Sequence, residues 1–113
     1  LIVLAGFLSI LKPEFVESWE NKIINIHPAL LPKYGGKGMW GHHVHNAVIE
    51  AKEKESGATV HFVTVGIDEG EAILQKSFEV TENDTPETLA EKVHKIEYEI
   101  FPIAINKLLN VPI

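Results

Sequence analysis

Cysteine is absent from the 113 residues, which excludes disulfides and thiolate chemistry and fits a reducing, cytoplasmic setting. No apolar run approaches the roughly 18–20 residues that a membrane helix needs, so no membrane partner is expected. The opening LIVLAGFLSI carries neither a basic leader nor a small-residue cleavage site. Basic residues are in the minority: 10 against 16 acidic ones, for a formal charge of −6. The basic face on which nucleic-acid binding depends is therefore not expected, and neither is a large polyanionic partner. Internal repeats and low-complexity segments are missing too. What remains is ordinary globular usage, 45% hydrophobic and 23% charged, enough for one packed domain and too short for two.

The order of elements suggests an α/β domain with a partly parallel sheet. Leu1–Phe7 is a continuous apolar stretch with the pattern of an interior parallel strand. Because it opens the chain directly, further residues are expected upstream of it. Pro13 fits the first turn of a short helix running to about Trp19, and Lys22–Ile26 reads as the next strand. A loop follows with Pro28, Pro32 and the pair Gly35–Gly36. The spacing of Val44, Ala47, Val48 and Ala51 predicts a helix over His42–Glu55. Its EAKEKE end (Glu50–Glu55) reads as a solvated face. Ala58–Val65 and Ala72–Val80 read as a hairpin joined through the glycine-flanked loop Gly66–Gly70. Asp84 or Thr85 caps a last helix in which Leu89, Val93, Ile96, Ile100 and Ile103 recur at helical spacing to about Leu109. Pro102 is expected to kink it.

Asn25 and His27 stand two apart at the end of a strand, so both side chains project to one face. Strand ends of this kind are where open α/β sheets bind ligands. An amide donor beside a protonated imidazole suits a reaction that builds negative charge on a carbonyl oxygen. A carboxylate is then wanted to keep the imidazolium charged, and Asp68, on a short loop after another strand, is the candidate. Each residue also has a plainer role. Asn25 could satisfy backbone groups in the following turn, Asp68 could serve as a turn residue, and His61 could be a hydrogen-bonded core histidine. His42, His43 and His45 form a separate cluster. Positions 42 and 45 share a helical face, yet no completed ligand spacing accompanies them, and no metal is expected.

Three segments carry a family resemblance: INIHPALLP at Ile24–Pro32, GATVHFV at Gly57–Val63 and GIDEG at Gly66–Gly70. In this order and spacing they resemble the folate-dependent formyltransferase superfamily, across essentially the whole chain. Within it the chain is most similar to the branch that formylates the amine of glycinamide ribonucleotide in purine biosynthesis. The resemblance implies residues 1–113 as a single formyltransferase domain, the C-terminal part of a Rossmann-like fold with a mixed sheet and a long C-terminal helix. It implies that the N-terminal phosphate-binding part lies upstream of anything in this sequence.

The resemblance also implies the site. Asn25, His27 and Asp68 would be catalytic, and 10-formyltetrahydrofolate would be the co-substrate, with no metal. The reduced folate would lie against Leu8, Ser9, Ile10, Leu11, Asn25 and the stretch Thr64, Val65, Gly66, Ile67, Asp68. The ribonucleotide would lie towards Pro28, His94 and Glu97, with His61 in support. Two features depart from many relatives: the loop Gly35–Gly41 is longer, and Ser9 stands where some have a basic residue. A homodimer is the assembly kept in view. The rival expectations are a formyltetrahydrofolate deformylase, a non-catalytic folate-binding fragment and, less favoured, a transferase acting on initiator methionyl-tRNA.

Overall fold

The computed structural model describes residues 1–4 and 11–109. In chain order its elements are β1 (Ile2–Leu4), α1 (Pro13–Ser18), β2 (Ile23–His27), α2 (His42–Glu50), β3 (Glu55–Phe62), β4 (Ala72–Glu79) and α3 (Pro86–Leu109). The strands form one sheet in the order β1-β2-β3-β4. β1 runs parallel to β2, and β2–β3 and β3–β4 are antiparallel. The mixed α/β architecture and the β3–β4 hairpin are those the sequence predicts.

Alternation along β2 and β3 divides the work between the sheet faces. Ile24, Ile26, Ala58 and Val60 pack with Val93, Ile100 and Ala104 of α3 in one buried cluster. Ala29, Val44, Val48 and Leu89 form a second cluster where α2 meets α3. Asn25 and His27 alternate with Ile24 and Ile26, so they project to the other face. In the β2–β3 register Asn25 stands opposite His61, and His27 opposite Thr59. The apolar pattern thereby sets three polar side chains of interest on one surface.

Thr59 ties the loop after β2 to the sheet. It is fully buried, its hydroxyl donates to the Ala29 carbonyl at 2.8 Å, and it accepts from the Leu31 amide at 3.2 Å and the Gln75 amide at 2.8 Å. At the start of α3 the cap is Thr85. Its hydroxyl accepts from the Thr88 amide and the Thr88 hydroxyl accepts from the Thr85 amide, a reciprocal capping arrangement. Asp84 instead binds Lys92 and the Thr81 amide. The Lys92 ammonium, followed by that amide, holds its carboxyl down at about 2.

Several expected boundaries shift. α2 ends at Glu50 rather than residue 55: Lys52 adopts φ 54 and breaks the helix. The EAKEKE run is therefore a helix end, a turn and the first residue of β3. β3 ends at Phe62, which leaves Thr64 and Val65 exposed in the following loop. β1 is not interior among the described residues. It lies at the end of the strand order, with Val3 41% exposed. α3 is one continuous span through Pro102.

Thr59→Val keeps the shape of the side chain and strands the Ala29 carbonyl and the Leu31 amide. It should destabilise the fold by about 1–3 kcal/mol, read from urea unfolding midpoints. A loss under about 0.5 kcal/mol would show that the loop is held by other contacts.

Candidate functional site

At the C-terminal end of β2 a cavity of about 680 Å³ opens between the sheet, the loop after β2, the loop 66–70 and α3. Asn25 and His27 reach it because they end the strand, and His61 reaches it from the paired position on β3. Asp68 reaches it from the 66–70 loop, where its backbone takes φ 56. Asp adopts this left-handed conformation more readily than most residues.

His27 is buried, with 4% exposure, and both ring nitrogens face acceptors. Nε2 donates to the Tyr34 carbonyl at 2.7 Å, and Nδ1 stands 3.5 Å from Asp68 Oδ2. That same oxygen accepts from the Gly36 amide at 3.0 Å. The other carboxylate oxygen, Oδ1, lies 3.7 Å from His61 Nε2. Two groups two residues apart on one loop thus fix both partners, Tyr34 holding the imidazole and Gly36 the carboxylate. Gly35 sits between them under tight constraint. A Cβ there would lie 2.7 Å from Leu31 Cδ2 and 3.2 Å from Asp68 Cβ.

His61 is 2% exposed. Its Nδ1 is 2.9 Å from the Phe62 carbonyl, and its Nε2 is buried without a hydrogen-bond partner among the described residues. Burial lowers its pKa, with the Phe62 carbonyl and the Asp68 charge opposing that and His27 adding to it. On α3, His94 Nδ1 and Glu97 Oε1 pair at 3.0 Å. Burial pushes the Glu97 carboxyl up, and the His94 charge partly offsets this. His45, on α2, is 4% exposed and its Nδ1 has no hydrogen-bond partner among the described residues. Burial, then the charges of His94, His42 and His27, lowers it to about 4.

The cavity gathers the expected residues of the described region. Leu11, Asn25, His27, Pro28 and His61 line it, as do Thr64, Val65, Gly66, Ile67 and Asp68, and across from them His94 and Glu97. Leu8, Ser9 and Ile10 lie outside the described residues. Among the described residues no group of three His, Cys, Asp or Glu side chains is placed to hold a metal ion. The cluster at 42, 43 and 45 divides instead: His42 and His43 are exposed, His43 against the Trp40 ring, and His45 is buried. Sequence reasoning missed the backbone partners Tyr34 O and Gly36 N–H, for which the paired glycines at 35 and 36 were the available signal. It also gave His45 no part in the cavity wall, which that side chain lines.

The arrangement offers an amide donor, an imidazole and a carboxylate in one partly enclosed space. That set can stabilise charge on a carbonyl oxygen and move protons. Known proteins share the sequence and fold of this chain. The family model described as "Formyl transferase" matches residues 1–105. The trifunctional purine biosynthetic protein adenosine-3 of Drosophila melanogaster is 44% identical over 110 residues, which is 97% of this chain and 8% of that protein. The chloroplastic phosphoribosylglycinamide formyltransferase of Arabidopsis thaliana is 44% identical over 100 residues, 88% of this chain and 34% of that protein. A crystal structure of phosphoribosylglycinamide formyltransferase from Anaplasma phagocytophilum superposes with a TM-score of 0.86 at 38% identity. It covers 94% of this chain, which spans 50% of that one. The chain thus spans half or less of the length of these relatives.

Two outcomes follow from this geometry. Gly35→Ala and Gly36→Ala should each cost about 1 kcal/mol in urea unfolding, the first by crowding and the second by its φ of 92. Both should move the NMR signal of the Asp68 carboxyl, Gly35→Ala by crowding Asp68 Cβ and Gly36→Ala through its strained amide, which donates to Asp68. An unmoved signal in either variant would refute that grip.

His45 is the second case. Its folded value of about 4 lies below the ordinary 6.5, so between these values the unfolded chain binds more protons. Its contribution to stability is therefore intact above about pH 6.5 and falls as the pH drops towards 4, by roughly 2–3 kcal/mol. His45→Leu should flatten this dependence when unfolding midpoints at pH 7 and pH 4.5 are compared.

Proposed function

The chain belongs to the formyl transferase family, and from that premise we propose that it is the catalytic, folate-facing part of a phosphoribosylglycinamide formyltransferase. The reaction moves a formyl group from 10-formyltetrahydrofolate to the amine of glycinamide ribonucleotide. The observation that carries this reading is the convergence of Asn25, His27 and Asp68 on one cavity, with the carboxylate 3.5 Å from the imidazole.

In the proposed mechanism the amine attacks the formyl carbon directly and the carbonyl oxygen gains charge. The Asn25 amide donates to that oxygen. His27 meets it along its Nδ1 edge, because Nε2 is engaged by Tyr34. The 3.5 Å separation from Asp68 is longer than an ordinary charge-assisted hydrogen bond, so the ring can share Nδ1–H with a third group. Asp68 orients the imidazole and balances its charge. The tetrahedral intermediate then collapses and releases tetrahydrofolate, with no acyl-enzyme.

The remaining assignments follow the cavity wall. The folate would use the backbone of Thr64 to Asp68 and the apolar side of Leu11. The ribonucleotide would lie towards Pro28, His94 and Glu97, where Glu97 accepts from ribose hydroxyls. The acidic balance of the chain agrees with small-molecule substrates rather than a nucleic acid.

In the complete enzyme Asn25→Ala and Asp68→Asn should each lower kcat by at least about ten-fold, with larger losses of about 10²–10⁴ common for such groups; Asp68→Asn keeps an acceptor for the Gly36 amide and tolerates the left-handed backbone, so its fold is retained. Turnover close to normal in either variant would reject the assignment. Identification of the product completes the test. Formylated ribonucleotide is expected, and formate alone would turn the reading to a deformylase.

A further inference from the structure

His61 stands in an unusual position for a buried histidine. With Nδ1–H donating to the Phe62 carbonyl at 2.9 Å, its Nε2 presents a lone pair to Asp68 Oδ1 at 3.7 Å. The other tautomer sets a lone pair against the Phe62 carbonyl instead. Either neutral form leaves two acceptors facing each other, and only the imidazolium donates to both. Burial resists that charged form. The ring is therefore short of one proton that its surroundings are built to receive.

The same pattern holds on the other side of the carboxylate. From Tyr34 O through His27, Asp68 and His61 to Phe62 O there are four contacts, each of which needs a hydrogen between two acceptors. With His27 protonated, as in the mechanism above, that ring supplies two and a neutral His61 supplies one, so one contact of the His61 ring is left without a hydrogen. Among the described residues the charged groups that act on His61 are Asp68 and His27. The Asn25 side chain, opposite His61 in the register, carries no titrating proton.

We infer that His61 is the proton store of this site, taking up through Asp68 the proton shed by the attacking amine and returning it to the leaving group. This rests on the transfer reaction proposed above. The bond from amine nitrogen to formyl carbon forms, and the bond from formyl carbon to N10 of the folate breaks. The proton lost by the amine rests on His61 Nε2 while the intermediate lives, then passes back by way of Asp68 to N10. Nothing is oxidised or reduced, and no proton is gained or lost overall. Closing the 3.7 Å gap to hydrogen-bond length takes a shift of roughly 0.7 Å.

The test compares the complete enzyme with its His61→Gln variant, whose amide can still donate to Asp68 but cannot take a proton. Expected are a kcat lower by about ten-fold or more, KM values for both substrates within about two-fold, and a displaced limb in the pH profile of kcat. An unchanged kcat would overturn the proposal. So would a lower kcat with an unmoved pH profile, which would mean that His61 only positions Asp68. Should the variant fail to fold, ¹⁵N NMR of the wild-type ring decides. Nε2 should gain a proton as the pH falls from 8 to 4, in step with changes in the Asp68 carboxyl signal, and a ring that titrates independently of Asp68 would overturn the proposal. This readout needs no turnover. A wild-type enzyme that binds folate without transfer would therefore reject the functional reading while the NMR result still judged His61.

Discussion

The site depends on one loop that grips two side chains from the backbone. The Tyr34 carbonyl accepts a hydrogen bond from His27 Nε2 and, two residues on, the Gly36 amide donates to Asp68. Neither contact uses a side chain of the loop, so the loop can hold the imidazole and the carboxylate in register without placing another titratable group beside them. Backbone groups are also rigid, which suits reacting geometry better than long flexible side chains do. The condition is a constrained chain path. Tyr34 and Gly36 both take positive φ, and a Cβ on Gly35 would need Leu31 and Asp68 to give way.

The loop is itself anchored. Thr59 holds Ala29 and Leu31 at its start, and Gln75 of β4 donates to both Thr59 and the Leu31 carbonyl. The path of control runs from the β3–β4 hairpin, through a buried hydroxyl, to the turn that carries Tyr34 and Gly36. A polar network of this kind is costly when one member is lost, because the rest are already out of water. It is the reason why a residue remote from the reacting atoms can govern their spacing.

Much of this was legible in the sequence. The alternation in β2 announced that Asn25 and His27 share a face, and the periodicity of α3 marked its buried stripe. The glycine-flanked loop and the family segments brought Asp68 to the same place. The parts that were not legible have a common cause. The end of α2 at Glu50 and the end of β3 at Phe62 are set by turns, whose backbone preferences are weaker than hydrophobic periodicity. The grip of Tyr34 and Gly36 on the site uses peptide groups that every residue possesses, so composition could not single them out. His45 was missed for a related reason. Spacing put it on one helical face with His42 and gave it no role, whereas with Val44 and Val48 packed into the α2–α3 cluster His45 is buried.

The register of β2 against β3 explains why this geometry is robust. Side chains alternate with a period of two, so a slip of β2 by one residue would send Asn25 and His27 into the cluster under α3 and take Ile24 and Ile26 out of it. The apolar faces of four core residues, Ile24, Ile26, Ala58 and Val60, forbid that slip. At roughly 1.5–3 kcal/mol for each large aliphatic side chain buried, the aliphatic face outweighs any single polar contact at the site. Selection for a well-packed core under α3 therefore also preserves the placement of the amide and the two imidazoles on the opposite face. The chemistry can vary through the loops while the sheet keeps its reacting positions aligned.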